Sequence, residues 1–203
     1  IWDISEVTNA KAGTSLAKAL EIDDVVFDIE VTSNRPDCKS VIGQARDAGA
    51  ATKDAFIFKP SKLKEGKGEF KVSVKEPELC PKYSAVRIEG VKVGPSPWWL
   101  QKKLIFAGFK PISNVVDVTN LLLHEYGQPL HVFDASKIAG KELIIRKAKA
   151  KEKFSALDDN EYELTSDMLV IADKKKAVAV AGVMGGKHSG ASEDTTEVII
   201  ECA

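Results

Sequence analysis

Little in this sequence is in excess, and most of what it lacks closes off a class of function. Its 203 residues carry 29 Lys plus Arg against 30 Asp plus Glu, a formal net charge of -1. That balance excludes a whole-protein basic field for nonspecific nucleic-acid binding, so any RNA contact must come from local patches or from partners. Only three cysteines occur, Cys38, Cys80 and Cys202, with no CxxC spacing. So sparse and odd a set suits a reducing compartment better than a disulfide scaffold or a zinc site, and a cytoplasmic protein is expected. No apolar run approaches the ~20 residues of a membrane span, and none has the form of a secretory signal. A P-loop, a Gly-x-Ser-x-Gly elbow and an HExxH helix are also missing, so the chemistries that those motifs serve are not indicated.

What is present is a well-patterned globular chain with 44% hydrophobic and 29% charged residues. Its length suits one or two domains, each able to bury a core. It opens without Met at Ile1 and stops inside the apolar run Val198-Ile199-Ile200-Glu201-Cys202-Ala203, which reads as a piece of a longer polypeptide. Ser15 is placed to cap a short helix over residues 16–20, and Ser40 one that carries Val41, Ile42, Ala45 and Ala48. The β-branched run Val25–Glu30 predicts a strand. Gly43 and Gly49 weaken the helix after Ser40, so packing must hold it. Residues 59–67, with Pro60, Gly66 and four lysines, form the best linker. The expected division is therefore a small helical/αβ segment over 1–60 and a mixed module over 61–203.

Within that module, strands are expected over 69–74, 83–93, 143–146, 167–172, 177–183 and 197–201. Between them lie two helices. Ser96 caps the first with Pro97 at its first position and Gly108 at its end; Asn114 caps the second, which runs to Gly127. Helices mixed with mostly nonalternating strands argue for an α+β fold with buried β-sheet layers.

Three polar features sit where packing alone would not put them. Thr119 and Asn120 fall in mid-helix, Asn120 on an apolar stripe with Val116 and Leu123; a structural brace explains it as well as a site does. His131 follows the sharp exit Gly127-Gln128-Pro129, flanked by apolar residues in an extended segment, where it is either a satisfied structural group or a functional one. Ala181 and Gly182 open the run Ala181-Gly182-Val183-Met184-Gly185-Gly186, whose backbone a ligand can approach closely, although tight turns explain the glycines equally well. Glu201 ends an apolar strand and needs a partner if buried. His131 with Asp134 as a metal pair, and Cys80 with His131 as a thiol dyad, both lack a completing group. The lysines at 147, 149, 151, 153 and 174–176 read as solvated turns that could touch a phosphate backbone.

The ordered blocks Asn34-Arg35-Pro36-Asp37, Cys80-Pro81-x-Tyr83, Gly94-Pro95-Ser96-Pro97-x-Trp99-Leu100, Asn114-Val115-Val116-Asp117-Val118-Thr119-Asn120, Gly127-Gln128-Pro129-Leu130-His131-x-Phe133-Asp134 and Ala181–Gly186 resemble the bacterial-type phenylalanyl-tRNA synthetase β subunit. The likeness runs over essentially the whole chain. It departs at Ser33, Lys39 and Asp159-Asn160, none in the implied pocket. The resemblance implies an (αβ)₂ ligase of translation whose α subunit aminoacylates tRNA(Phe) with ATP and Mg²⁺. It implies no cofactor for this region, which would hold a separate module, beginning near Ser61, that hydrolyses mischarged tyrosyl-tRNA. Carried over by position, the pocket comprises Thr119, Asn120 and His131 about the terminal ester and the attacking water, and Ala181, Gly182 and Glu201 about the tyrosyl side chain. A noncatalytic scaffold for the α subunit or tRNA is the competing expectation.

Overall fold

The computed structural model describes residues 2–63, 66 and 68–203. Ile1, and Lys64, Glu65 and Lys67 of the expected linker, lie outside the described residues. The chain forms two compact units, one from Ile1–Ile57 with Pro95–Gln128 and the other from Phe58–Gly94 with Pro129–Ala203. The first crossing falls close to the boundary expected at 60. Residues 95–128, expected within the second module, cluster with the N-terminal residues.

The first unit is helical: α1 (Leu16–Leu20), α2 (Val41–Thr52), α3 (Trp98–Phe106) and α4 (Asn114–Tyr126). Ser15 Oγ accepts from the Lys18 amide and Ser40 Oγ from the Gly43 amide, so both expected caps are made. Gly43 also explains why a poor helix former sits in α2. A Cβ there would collide with the Asp37 carbonyl of the 3-10 turn Pro36–Cys38, so the helix and turn approach each other only through glycine. Gly108 (φ +82°) closes α3, its amide donating to Ile105 O while the Phe109 amide reaches Leu104 O, the paired bonds of a Schellman motif. Leu100 and Leu104, one turn apart, are fully buried, whereas Trp99 and Ile105 are exposed; the apolar face of α3 is narrower than its composition suggests.

Two expectations fail in this unit. Residues 25–30 form no strand, and Val25, Val26, Phe27 and Ile29 are exposed. Extended propensity without a neighbouring strand has no ladder to complete. Ser96 and Asn114 are not caps: α3 begins after Pro97 and α4 after Ser113. Ser96 Oγ instead donates to Asp117 Oδ2 at 2.5 Å, and the other Asp117 oxygen accepts from the Ile112 amide at 2.8 Å. Asp117 is completely buried and ties the loop before α3 to the start of α4.

Among the described residues the second unit has ten strands. A five-stranded sheet runs in the order β1 (Lys71–Val74), β4 (Glu142–Lys147), β7 (Leu169–Ala172), β8 (Ala177–Val180), β9 (Met184–Gly185). β1 and β4 pair in parallel, and the other neighbours in this sheet are antiparallel. A three-stranded antiparallel sheet has β10 (Glu197–Cys202) between β2 (Ser84–Glu89) and β3 (His131–Asp134). The strand expected over 177–183 stops at Val180, and residues 181–183 turn back with Gly182 at φ +70°. One core cluster joins Phe133 and Ile199 of the smaller sheet to Leu143, Ile145, Ile171 and Ala179 of the larger. A second, on the far side of β7, holds Val170 and Ala172 against Phe154 and Leu164 of the hairpin β5 (Glu152–Ser155)–β6 (Glu161–Leu164). Burial on both faces is why β7 reads as an unbroken apolar run. The hairpin turn places Asp159 at φ +66°, a conformation that glycine adopts more readily.

Two measurements test these anchors. Asp117→Ala strands the Ser96 hydroxyl and the Ile112 amide, and is expected to lower the unfolding free energy by about 1–3 kcal/mol in denaturant titration. Glu152 accepts two bonds from Arg146 at 2.7 and 2.8 Å and also bonds the amides of Lys149 and Ala177, which holds its pKa down at about 2 against an ordinary 4.5. A depressed carboxyl stabilises the fold above its unfolded pKa and loses that contribution as pH falls through the folded one. Thermal unfolding between pH 5 and pH 2 should therefore fall less steeply in Glu152→Gln than in the native chain.

Candidate functional site

The inner face of the three-stranded sheet is set by register. Glu201 pairs with Ala85 on β2 and with His131 on β3, so these three side chains share one face. Tyr83, two residues before Ala85, falls on the same side. Opposite lie Ile145, Leu169, Ile171 and Ala179 of the larger sheet, and together they line a cavity of about 480 Å³. Its wall continues through Pro129, Leu130 and the segment from Ala181 to Gly185. The lining is largely apolar, with a few convergent polar groups, the usual composition of a small-molecule site.

Those polar groups are buried and unpaired. Tyr83 Oη, His131 Nε2 and Glu201 Oε2 have no hydrogen-bond partner among the described residues. Burial raises the Glu201 pKa above its ordinary 4.5, and the neighbouring Tyr83 hydroxyl partly opposes that rise. Burial likewise raises the Tyr83 phenol, with the Glu201 charge adding to it. His131 is pushed down by burial and is neutral at pH 7. Its ring stands edge-on to Phe133, centroids 4.5 Å apart. The glycines have separate reasons. A Cβ on Gly185 would lie 2.5 Å from His131 Cε1, and one on Gly186 would lie 2.7 Å from Val178 O. Gly185 therefore makes room for the imidazole, while Gly186 makes room for the neighbouring backbone.

Four residues expected from the sequence, His131, Ala181, Gly182 and Glu201, line this one cavity. Thr119 and Asn120 belong to α4 in the first unit and are not among its lining residues. Thr119 is buried and donates to the Val116 carbonyl at 2.6 Å. Asn120 is half-buried, and among the described residues its side chain makes none of the bracing hydrogen bonds considered above. The His131–Asp134 metal pairing is ruled out by strand alternation, which sends residues three apart to opposite faces. Asp134 is occupied by Ser136 and Thr195 at 2.6 Å each. Cys80 does reach the cavity beside His131, with its thiol directed to Lys82 O. Tyr83 is the residue that sequence reasoning missed; its place in the Cys80-Pro81-x-Tyr83 block was the available signal.

Two sheets enclosing an apolar cavity with three buried, unpaired polar groups make this an α+β module. A family model described as B3/4 domain matches residues 79–203, and the chain belongs to that family. The phenylalanine–tRNA ligase β subunit of Carboxydothermus hydrogenoformans is 48% identical over 196 residues, covering 96% of this chain and 25% of its own length. That of Mesorhizobium japonicum is 49% identical over 197 residues, covering 96% and 24%. The chain thus spans about a quarter of the length of the curated relatives it matches. A crystal structure of an N-terminal fragment of the phenylalanyl-tRNA synthetase β subunit from Pyrococcus horikoshii shares the fold, with TM-score 0.53 and 18% identity over 88% of this chain and 58% of that one. The resemblance drawn from the motifs is borne out, as is the mixed α+β class.

The Glu201 carboxyl gives a stability test. A carboxyl whose folded pKa is raised stabilises the fold below its unfolded pKa and loses that contribution as pH climbs through the folded value. Glu201→Gln should melt above the native chain at pH 7, with the difference closing near pH 4.

Proposed function

We propose that this chain is the middle part of a phenylalanyl-tRNA synthetase β subunit, and that its cavity binds the tyrosyl group of mischarged tRNA(Phe) for hydrolysis. Partnership with an α subunit that aminoacylates with ATP and Mg²⁺, in an (αβ)₂ enzyme of the cytoplasm, follows from the same reading. The observation that carries it is Glu201 Oε2, buried without a partner in an apolar cavity of about 480 Å³. An apolar phenylalanine pocket rejects tyrosine only about 10²-fold, because an added hydroxyl is weakly penalised. A second pocket with a buried acceptor inverts the preference, since phenylalanine leaves that acceptor unpaired.

In this reading Glu201 accepts the phenol hydrogen. Ala181 and Gly182 supply small walls for the ring. His131, neutral and with Nε2 unpaired, orients water or the ester. Thr119 and Asn120 take their roles about the terminal ester from the resemblance. The Thr119 hydroxyl donates within its own helix, which leaves its oxygen as an acceptor.

Titration with L-tyrosine and L-phenylalanine, followed by amide NMR, tests the pocket. Saturable shifts with tyrosine alone, lost in Glu201→Ala, are expected. Hydrolysis of tyrosyl-tRNA(Phe) by the assembled enzyme should fall at least 10-fold in His131→Ala and in Glu201→Ala. Unchanged hydrolysis in both variants would leave the noncatalytic scaffold as the function of this region.

A further inference from the structure

We propose that Tyr83 is a second specificity-determining residue of this cavity: its hydroxyl donates to the phenol oxygen of a bound tyrosyl group while that group's own hydrogen goes to Glu201. The inference rests on the reading above and adds a residue to it. Its first support is register. Glu201 pairs with Ala85, and Tyr83 lies two residues along on the same face, so the phenol and the carboxylate enter the cavity side by side.

The second support is their state. Tyr83 Oη and Glu201 Oε2 are a donor and an acceptor, both buried, and neither forms a hydrogen bond among the described residues. Two complementary groups that share a cavity, near enough for each to shift the other's pKa, leave a place for a third that satisfies both. A phenol does so, offering one hydrogen and an oxygen with two lone pairs. A phenyl ring satisfies neither, and an aromatic amine satisfies only the carboxylate, because its nitrogen lone pair is drawn into the ring.

Tyr83 is suited to act as the donor. Burial and the adjacent carboxylate hold its pKa well above the neutral range, so it is a hydroxyl at pH 7.

The test compares the native chain, Tyr83→Phe and Glu201→Ala by calorimetric titration with L-tyrosine, L-phenylalanine and L-4-aminophenylalanine, beside thermal unfolding of each. Tyr83→Phe should weaken L-tyrosine about 3- to 10-fold, the worth of one hydrogen bond. L-4-aminophenylalanine should bind the native chain and Tyr83→Phe equally, and L-phenylalanine should bind the variant no worse. The melting temperature should hold or rise, since only an unpaired buried hydroxyl is removed. Equal or tighter L-tyrosine binding by Tyr83→Phe, with binding still lost in Glu201→Ala, would overturn the role of Tyr83 and keep the proposed function. No L-tyrosine binding by the native chain would overturn both. A loss that is equal for L-tyrosine and L-4-aminophenylalanine would mark Tyr83 as a packing residue and overturn the proposal.

Discussion

The site depends on one strand being paired on both sides. β10 runs between β2 and β3, and its alternation decides which of its residues face the cavity. Ile199 and Glu201 point inward, while Val198 and Ile200 point the other way. Because the side-chain period is two, a slip of one residue would replace the carboxylate with isoleucine or cysteine at the same place. The register is held by pairing along the whole strand, Glu197 to Cys202 against β2 and Val198 to Glu201 against β3. Thr195, just before the strand, adds its hydrogen bond to the buried Asp134 at the end of β3. The acidity of the pocket is thus a property of register, set by pairing along the strand.

The cost of the site is that its polar atoms are left incomplete. Nearly all buried polar groups in folded proteins are hydrogen-bonded, and an unpaired one costs about 1–3 kcal/mol. Tyr83, His131 and Glu201 each contribute one such atom. The second unit carries this because its larger sheet is covered on both faces, by the core shared with the smaller sheet and by the β5–β6 hairpin. Arg146 and Glu152 secure that hairpin to β4 with a bidentate pair and two backbone amides.

Features governed by a few adjacent residues were legible in the sequence. The caps at Ser15, Ser40, Gly108 and Gly127 follow from local backbone chemistry, and the structure forms them. The apolar strands around 143, 169 and 198 were legible because burial on two faces leaves no polar alternation to confuse them. What failed was whatever depended on a distant neighbour. Residues 25–30 have strand composition but no partner strand. Ser96 has the composition of a cap, yet Asp117, twenty-one positions on, claims its hydroxyl. The assignment of residues 95–128 to the first unit was invisible because hydrophobic periodicity reports that a face is buried, not against what. At the site, His131 and Glu201 stood out as polar residues in apolar company. Tyr83 did not, since a tyrosine at the head of a strand is ordinary until its hydroxyl is seen to lack a partner.

The same shortfall in hydrogen bonding joins stability to selectivity. A cavity whose polar atoms were already paired within the protein would gain nothing from a phenol and lose nothing to a phenyl ring. Leaving the acceptor and the donor unpaired moves the penalty onto whichever ligand fails to complete them, so discrimination is set by atoms that destabilise the fold. Stabilising substitutions at Glu201 and Tyr83 should for that reason be easy to make and costly to recognition. His131 belongs to the same group by a different route. Gly185 gives up a side chain so that the imidazole can sit against the strand, and burial then keeps the ring neutral. An uncharged imidazole can accept a proton from water or donate a hydrogen bond to an ester, whereas an imidazolium beside Glu201 would form an ion pair and quench both groups. Apolar surroundings are therefore what allow a histidine and a glutamate, directly opposite on neighbouring strands, to serve separate ends of one ligand.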